Sequence, residues 1–122
     1  MTALLISVDL MTTSQAQGAA ARAGVSLAIA PPAKAPEVAT SAQPVLAVID
    51  LQGPVKDLPG LVASLREASP DAKIAAFGPH VQTILLASAR DAGCDKVITR
   101  GQFHREFEGM LSQLGVADES AT

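Results

Sequence analysis

Two aspartates in this sequence stand directly after short apolar runs, where the end of a strand could present a carboxylate for chemistry. Asp9 follows the run LLISV, and Asp50 follows VLAVI. Such a carboxylate can ligate a metal ion, accept a transferred group or form an ion pair. Gly78 and Arg100 come after two further apolar runs. The sequence therefore offers four residues for one strand-end cluster, in which Arg100 can form ion pairs with Asp9 and Asp50.

The apolar runs predict the elements that must position this cluster. Five runs are predicted as strands, over residues 4–8, 25–30, 45–49, 73–77 and 97–99. They read as continuous apolar stretches rather than alternating ones, which is typical of a parallel sheet buried on both faces. Helical patterns separate them, so the chain is predicted to be an α/β domain with right-handed crossovers. In such a sheet the strand ends meet at one edge, where ligands bind.

The helix predictions rest on caps and apolar spacing. The first helix is predicted to use the hydroxyl run Thr12–Ser14 as its N-cap and to end before Gly24. Residues 37–43 could hold a short helix, although their pattern is weak. Further helices are predicted over residues 80–92 and 102–114. The spacing in the first of these predicts a buried face made of Val81, Ile84, Leu85 and Ser88.

Composition narrows the class of protein. The chain has 122 residues, enough for one domain, here expected over residues 1–115 with a flexible tail over 116–122. Its net charge of -3 and lack of a basic stripe argue against nucleic-acid binding. The single cysteine excludes an internal disulfide. No signal peptide or membrane-spanning stretch is predicted, so a cytoplasmic location without membrane contact is expected.

Three segments resemble the receiver domains of two-component response regulators. These are Asp9 after the first strand, DLQGP at residues 50–54, and GCDKVITRGQF at residues 93–103. The resemblance covers nearly the whole chain. It implies a flavodoxin-like three-layer α/β/α sandwich whose five-stranded parallel sheet has the order 2-1-3-4-5. It also implies that Asp50 is the phosphoacceptor, with Pro54 matching the proline that follows it in the family, and that a histidine kinase is the phosphoryl donor.

The resemblance fails at the metal ligands. The family has two adjacent acids after the first strand, whereas here Asp9 is followed by Leu10. Magnesium needs hard oxygen ligands in near-octahedral geometry, and leucine offers none. Asp9 and Asp50 are therefore expected to hold Mg²⁺ only weakly, and no other cofactor is predicted.

The family's switch residues are also replaced. Gly78 stands where a hydroxyl residue is usual, and Arg100 stands in place of a lysine. Gly101 replaces the proline that follows that lysine, and Val97 replaces the aromatic residue that moves in the switch. Arginine keeps the positive charge but presents a planar fork instead of a point charge.

The resulting functional hypothesis is a stand-alone, degenerate receiver-like domain that transduces signals through protein contacts. Without a set of catalytic side chains, it is not predicted to be an enzyme. The family's usual contact face implies a partner or homodimer surface within residues 80–107. Two alternatives stay open: a phosphoacceptor domain modified at Asp50, and a flavodoxin-like domain that binds a small molecule at the strand ends.

Overall fold

A computed structural model of the chain describes residues 1–121, with side chains for residues 1–114. The elements are β1 Thr2–Ile6, α1 Leu10–Ala23, β2 Ser26–Ala30, α2 Ala35–Ala42, β3 Leu46–Asp50, α3 Leu58–Ala68, β4 Lys73–Gly78, α4 Thr83–Asp91, β5 Lys96–Thr99 and α5 Arg100–Ala121. The weak pattern before β3 therefore does form a helix, α2. The tail predicted over residues 116–122 lies outside the fully described residues.

The five strands form one parallel sheet in the order β2-β1-β3-β4-β5. Helices α1 and α5 pack together on one face, and α2, α3 and α4 cover the other. This arrangement confirms the predicted flavodoxin-like three-layer sandwich and its strand order. It also places β3 in the middle of the sheet, so that Asp50 stands at the centre of the carboxyl edge.

The core is divided by the sheet into two clusters because successive strand side chains point to opposite faces. Leu4 and Ile6 of β1 pack on the side of α2, α3 and α4, whereas Ala3 and Leu5 pack on the side of α1 and α5. The three phenylalanines all lie on this second side, as Phe77, Phe103 and Phe107.

Two helix starts differ from the sequence prediction, and each changes the site. Helix α1 begins at Leu10, because Asp9 accepts a hydrogen bond from the Thr12 N–H and is the N-cap in place of the predicted hydroxyl run. Helix α5 begins at Arg100 instead of residue 102. Thr99 and Gln102 exchange backbone-to-side-chain hydrogen bonds of 2.9 and 3.1 Å, a capping box that fixes this start.

Helix α4 is shorter than predicted, and of its predicted buried face only Leu85 packs partly against the core. Val81 lies in the turn before the helix and is 73% exposed, while Ile84 is 86% exposed. Leu86 and Ala89 instead contact the core. The helix is rotated because these two residues fit against β4 and β5, so the apolar residues at 81 and 84 face solvent.

Within the described part of the chain, no helix combines the length and the apolar character that crossing a bilayer requires.

Candidate functional site

Asp50 is the last residue of β3 and is almost completely buried. It pairs with Phe77 of β4, and only 3% of its side chain is exposed. The strand order reverses between β1 and β3, which is where ligands bind in open α/β sheets. The structure therefore places Asp50 at the position that the topology favours for a site, but beneath the surface.

Three donors surround the Asp50 carboxylate. The Ser7 hydroxyl donates to Oδ2 at 2.8 Å, and the Gln52 N–H donates to Oδ1 at 3.1 Å. The Arg100 guanidinium donates to the same Oδ1 at 3.1 Å. A buried carboxylate is stable when it is paired and hydrogen-bonded, and both oxygens meet that condition here.

The first strand contributes Ser7, not Asp9, to the side of Asp50. Strand β1 ends at Ile6, which pairs with Ile49, so the next residue level with Asp50 is Ser7. Asp9 lies beyond the strand end with its side chain about half exposed, and its carboxylate caps α1. The two acids are therefore not adjacent ligands on neighbouring strands.

Arg100 joins the two acids. Its Nη2 bonds Asp50, and its Nη1 donates to the Thr12 hydroxyl at 3.0 Å and lies 3.9 Å from Asp9 Oδ2. Its Nε donates to Gln52 Oε1 at 3.0 Å. The ion pair predicted between Arg100 and Asp50 is present. One guanidinium thus connects β3, the loop after it, and α1 to the first residue of α5.

An aromatic stack supports the guanidinium. Arg100 lies over the ring of Phe77, with 5.2 Å between the guanidinium carbon and the ring centroid. Phe77 in turn stacks on Phe103 of α5 with centroids 4.0 Å apart. A cation over a ring face is attracted by the ring quadrupole, so the stack holds the guanidinium plane against the core.

The exposed acid of the cluster titrates below its usual range. Hydrogen bonds from the Thr12 hydroxyl and N–H lower the pKa of Asp9, and the positive charge of Arg100 lowers it further. Asp9 is therefore ionised at neutral pH and keeps its negative charge toward Arg100.

Gly78 is the last residue of β4, and apolar side chains pack around it. It is buried and pairs with Thr99 of β5. A Cβ at this position would contact Leu51 and Leu86 side chains at 3.5 Å. Aliphatic groups therefore surround Gly78, the position at which the receiver family usually has a hydroxyl residue.

The site does not fit a magnesium ion. Mg²⁺ takes oxygen ligands in near-octahedral geometry and keeps several waters, and a positive charge beside its ligands opposes its binding by Coulomb repulsion. Here Arg100 lies against both carboxylates, and the Ser7 hydroxyl already donates to Asp50. In the part of the chain with described side chains, no group of three His, Cys, Asp or Glu residues could hold a metal.

A small cavity of about 360 Å³ lies above the cluster at the strand ends. It is lined by Val8, Asp9, Asp50, Gln52, Gly53 and Arg100. All four strand ends named from sequence thus lie at this edge of the sheet, but Gly78 does not line the cavity.

Comparison with known proteins places the fold. No protein-family model and no curated protein sequence matches the chain. Solved structures do match. A CheY-like protein, TadZ of Pseudomonas aeruginosa PAO1, is 22% identical with a TM-score of 0.73, over 93% of this chain and 98% of that one. The receiver domain of the response regulator TorR is 18% identical with a TM-score of 0.78, over 93% and 94%.

A third match carries a metal. The receiver domain of a sensor histidine kinase of Pseudomonas aeruginosa PAO1, with magnesium coordinated in its active-site cleft, is 15% identical with a TM-score of 0.77, over 92% of this chain and 94% of that one. At these identities the matches show the fold alone: the chain has the fold of response-regulator receiver domains.

Sequence reasoning did not place Ser7, Gln52 or Thr12 in the cluster, although it named Thr12 as a candidate N-cap. Ser7 gave a usable signal, because a lone hydroxyl at the end of an apolar run on β1 falls level with Asp50 once the strands are aligned. Gln52 and Thr12 gave none. Their contacts with Arg100 depend on where α5 begins and how the loop after β3 turns.

Proposed function

We propose that this chain is a receiver-type signalling domain that acts through protein contacts and lacks the Mg²⁺-dependent phosphorylation switch. The fold supports the class of domain. The observation that carries the second part is the state of Asp50, whose side chain is 3% exposed and accepts from three donors. Binding, not catalysis, is the activity proposed.

The chemistry of acyl-phosphate formation explains why this environment disfavours phosphorylation. A carboxylate oxygen must approach phosphorus in line with the leaving group, and cations must neutralise the transferring oxygens. Oδ1 of Asp50 already accepts from Gln52 and Arg100, and Oδ2 accepts from Ser7. Attack by Oδ1 would require breaking a hydrogen bond, Oδ2 lies in the same buried position, and the residues do not fit the metal.

The test is phosphorylation with acetyl phosphate and Mg²⁺, read by intact-protein mass. We expect wild type to gain no more phosphoryl mass than Asp50→Asn does. A near-stoichiometric gain in wild type that Asp50→Asn abolishes would contradict the proposal. It would support the alternative of a phosphoacceptor served by a histidine kinase, which the central position of Asp50 on the carboxyl edge favours.

The proposed contact surface is the face that includes α4, within residues 80–107, and a second copy of the chain is the proposed occupant. Val81 and Ile84 are exposed beside a surface pocket of about 450 Å³ that they help to line. Exposed apolar residues that cluster in this way are typical of protein interfaces. Sedimentation equilibrium should show a dimer that Ile84→Glu dissociates. A dimer unaffected by Ile84→Glu, or a strict monomer, would contradict this surface.

The small-molecule alternative rests on the cavity of about 360 Å³ at the strand ends. Its lining is charged, and it includes no aromatic ring on which a planar ligand could stack. A fragment screen by NMR would support this alternative if ligands shifted Gln52 and Gly53, and would weaken it if no ligand did so.

A further inference from the structure

We infer that the Arg100 guanidinium takes the place of a divalent cation in the strand-end site. As a side chain of the protein itself, it balances the negative charges of Asp9 and Asp50. The inference rests on the proposed function, because it explains how the site is kept closed. It adds a role for one residue: Arg100 sets the charge balance of the site and ties α5 to it.

The contacts of Arg100 describe a site built around a cation. All three guanidinium nitrogens are used, with hydrogen bonds of 3.0 to 3.1 Å. Their acceptors come from three separate parts of the chain: the end of β3, the loop after it, and the first turn of α1. Both nearby carboxylates, Asp9 and Asp50, lie within ion-pair distance of it. A guanidinium suits these oxygen atoms because its charged donors point outward in a fixed planar fork.

The position of Arg100 in its helix is a second, independent observation. The capping box of Thr99 and Gln102 makes Arg100 the first residue of α5. The N-terminus of a helix carries partial positive charge, so an arginine there is disfavoured by the helix dipole. The positive charge of Arg100 is therefore stabilised by Asp9 and Asp50 and not by its own helix. These two acids offset the repulsion from the helix dipole.

The guanidinium shape matters as well as its charge. A flat group can lie on the Phe77 ring while its edge donates to several acceptors, whereas a lysine ammonium is a point donor on a flexible stem. Because Phe77 stacks on Phe103, the guanidinium lies over an aromatic pair that joins β4 to α5. Lysine should therefore restore the charge of the site but only part of its rigidity.

Removing the guanidinium leaves two carboxylates without their common counter-charge, and a divalent cation can then neutralise them. The test is thermal unfolding of wild type, Arg100→Gln and Arg100→Lys, with EDTA and with millimolar Mg²⁺. Circular dichroism is the probe, because the chain has no Trp or Tyr. In EDTA, we expect Arg100→Gln to lower Tm by about 5 °C and Arg100→Lys to lower it less.

Magnesium should leave wild type unchanged and raise the Tm of Arg100→Gln toward that of wild type. The double variant Arg100→Gln, Asp50→Asn should lose this response. Arg105→Gln, which alters an exposed arginine on the next turn of α5, is the matched control and should behave as wild type.

Two results would overturn the inference: equal Mg²⁺ responses in wild type and Arg100→Gln, or no response in Arg100→Gln. If Arg100→Gln does not fold, the Tm of Arg100→Lys is the deciding measurement. A Tm of Arg100→Lys below that of wild type, with no gain from Mg²⁺, supports the inference. A Tm equal to that of wild type contradicts it. These outcomes are distinct from failure of the proposed function, which depends on phosphorylation of wild type. An unphosphorylated wild type together with a folded, Mg²⁺-insensitive Arg100→Gln protein would contradict the inference alone.

Discussion

The two halves of the carboxyl edge of the sheet are built in opposite ways. Around β1 and β3, polar groups turn inward and bond one another, with Asp50 buried under Arg100. Around β4 and α4, aliphatic groups pack on Gly78, and the apolar residues that follow it turn outward to solvent. One half resembles a site that has been filled by the chain itself, and the other resembles a surface that has been left open.

This contrast indicates how the domain can work. Every buried side-chain nitrogen or oxygen within the described residues has a hydrogen-bond partner. The polar half therefore has no buried side-chain polar atom that a ligand would be needed to satisfy. The apolar half exposes Val81 and Ile84, which gain by being covered. We therefore expect binding to another protein at the α4 face, and we expect the strand-end cluster to hold the fold in one arrangement.

The largest expected effect on stability comes from helix α4, where Leu86 is buried in the core and Ile84, two residues earlier, is exposed. Leu86→Ala should lower the free energy of unfolding by about 2–5 kcal/mol, because it leaves a cavity in the core. At a protein concentration low enough to keep the chain monomeric, Ile84→Ala should change it by no more than about 0.5 kcal/mol, because that side chain is 86% exposed in the single chain. Urea unfolding monitored by circular dichroism measures both. Equal losses in the two variants would show that Ile84 is buried and would remove the contrast.

A smaller effect is expected at the closed half. Asp50→Ala should lower the free energy of unfolding by about 1–3 kcal/mol in metal-free buffer, because Ser7 and Arg100 lose their buried acceptor. Asp71→Ala, which removes an exposed acid in a turn, is the matched control and should be nearly neutral. A more stable Asp50→Ala protein would identify Asp50 as a strained functional acid, since acids gathered for metal binding repel one another without the metal.

The smallest stability effect is a pH dependence. The pKa values of Asp9 and Asp95 lie below the ordinary 3.8, through hydrogen bonds from Thr12 and from the Ile74 N–H respectively. Because the folded state lowers these pKa values, their contribution is present above pH 3.8 and is lost as the pH falls toward the folded values. Both groups are largely solvated, so the loss should be small and should decrease with salt.

Acid titration of the unfolding free energy tests this expectation. Asp95→Asn and Asp9→Asn should each flatten the decline below pH 3.8 relative to wild type. Curves for these variants that run parallel to that of wild type across the acid range would show that neither carboxylate is stabilised by folding.

The fold was predictable because its signals are local and repeated. Continuous apolar runs such as VLAVI mark buried parallel strands, and Gly24 ends α1 with a left-handed φ of 72°. The resemblance at residues 50–54 then gave the strand order, which periodicity does not provide.

The site was only partly predictable, and helix boundaries are the reason. Residues Thr99 to Gln102 match the capping-box sequence motif, a signal that would have placed Arg100 at the first turn of α5. The face of α4 could not be assigned from spacing, because apolar residues occur on two of its sides. Packing against the sheet selected Leu86 and Ala89, and this depends on contacts far apart in sequence.

The central claim is that the strand-end cluster is closed and does not signal to the α4 face through an acyl phosphate. Amide NMR spectra of wild type with beryllofluoride and Mg²⁺, which together mimic an aspartyl phosphate, test it most directly. We expect the shifts across residues 78–105 to stay nearly unchanged and to match those of Asp50→Asn. Large, saturable shifts in that range, absent from Asp50→Asn, would contradict it and show that Asp50 still controls this face.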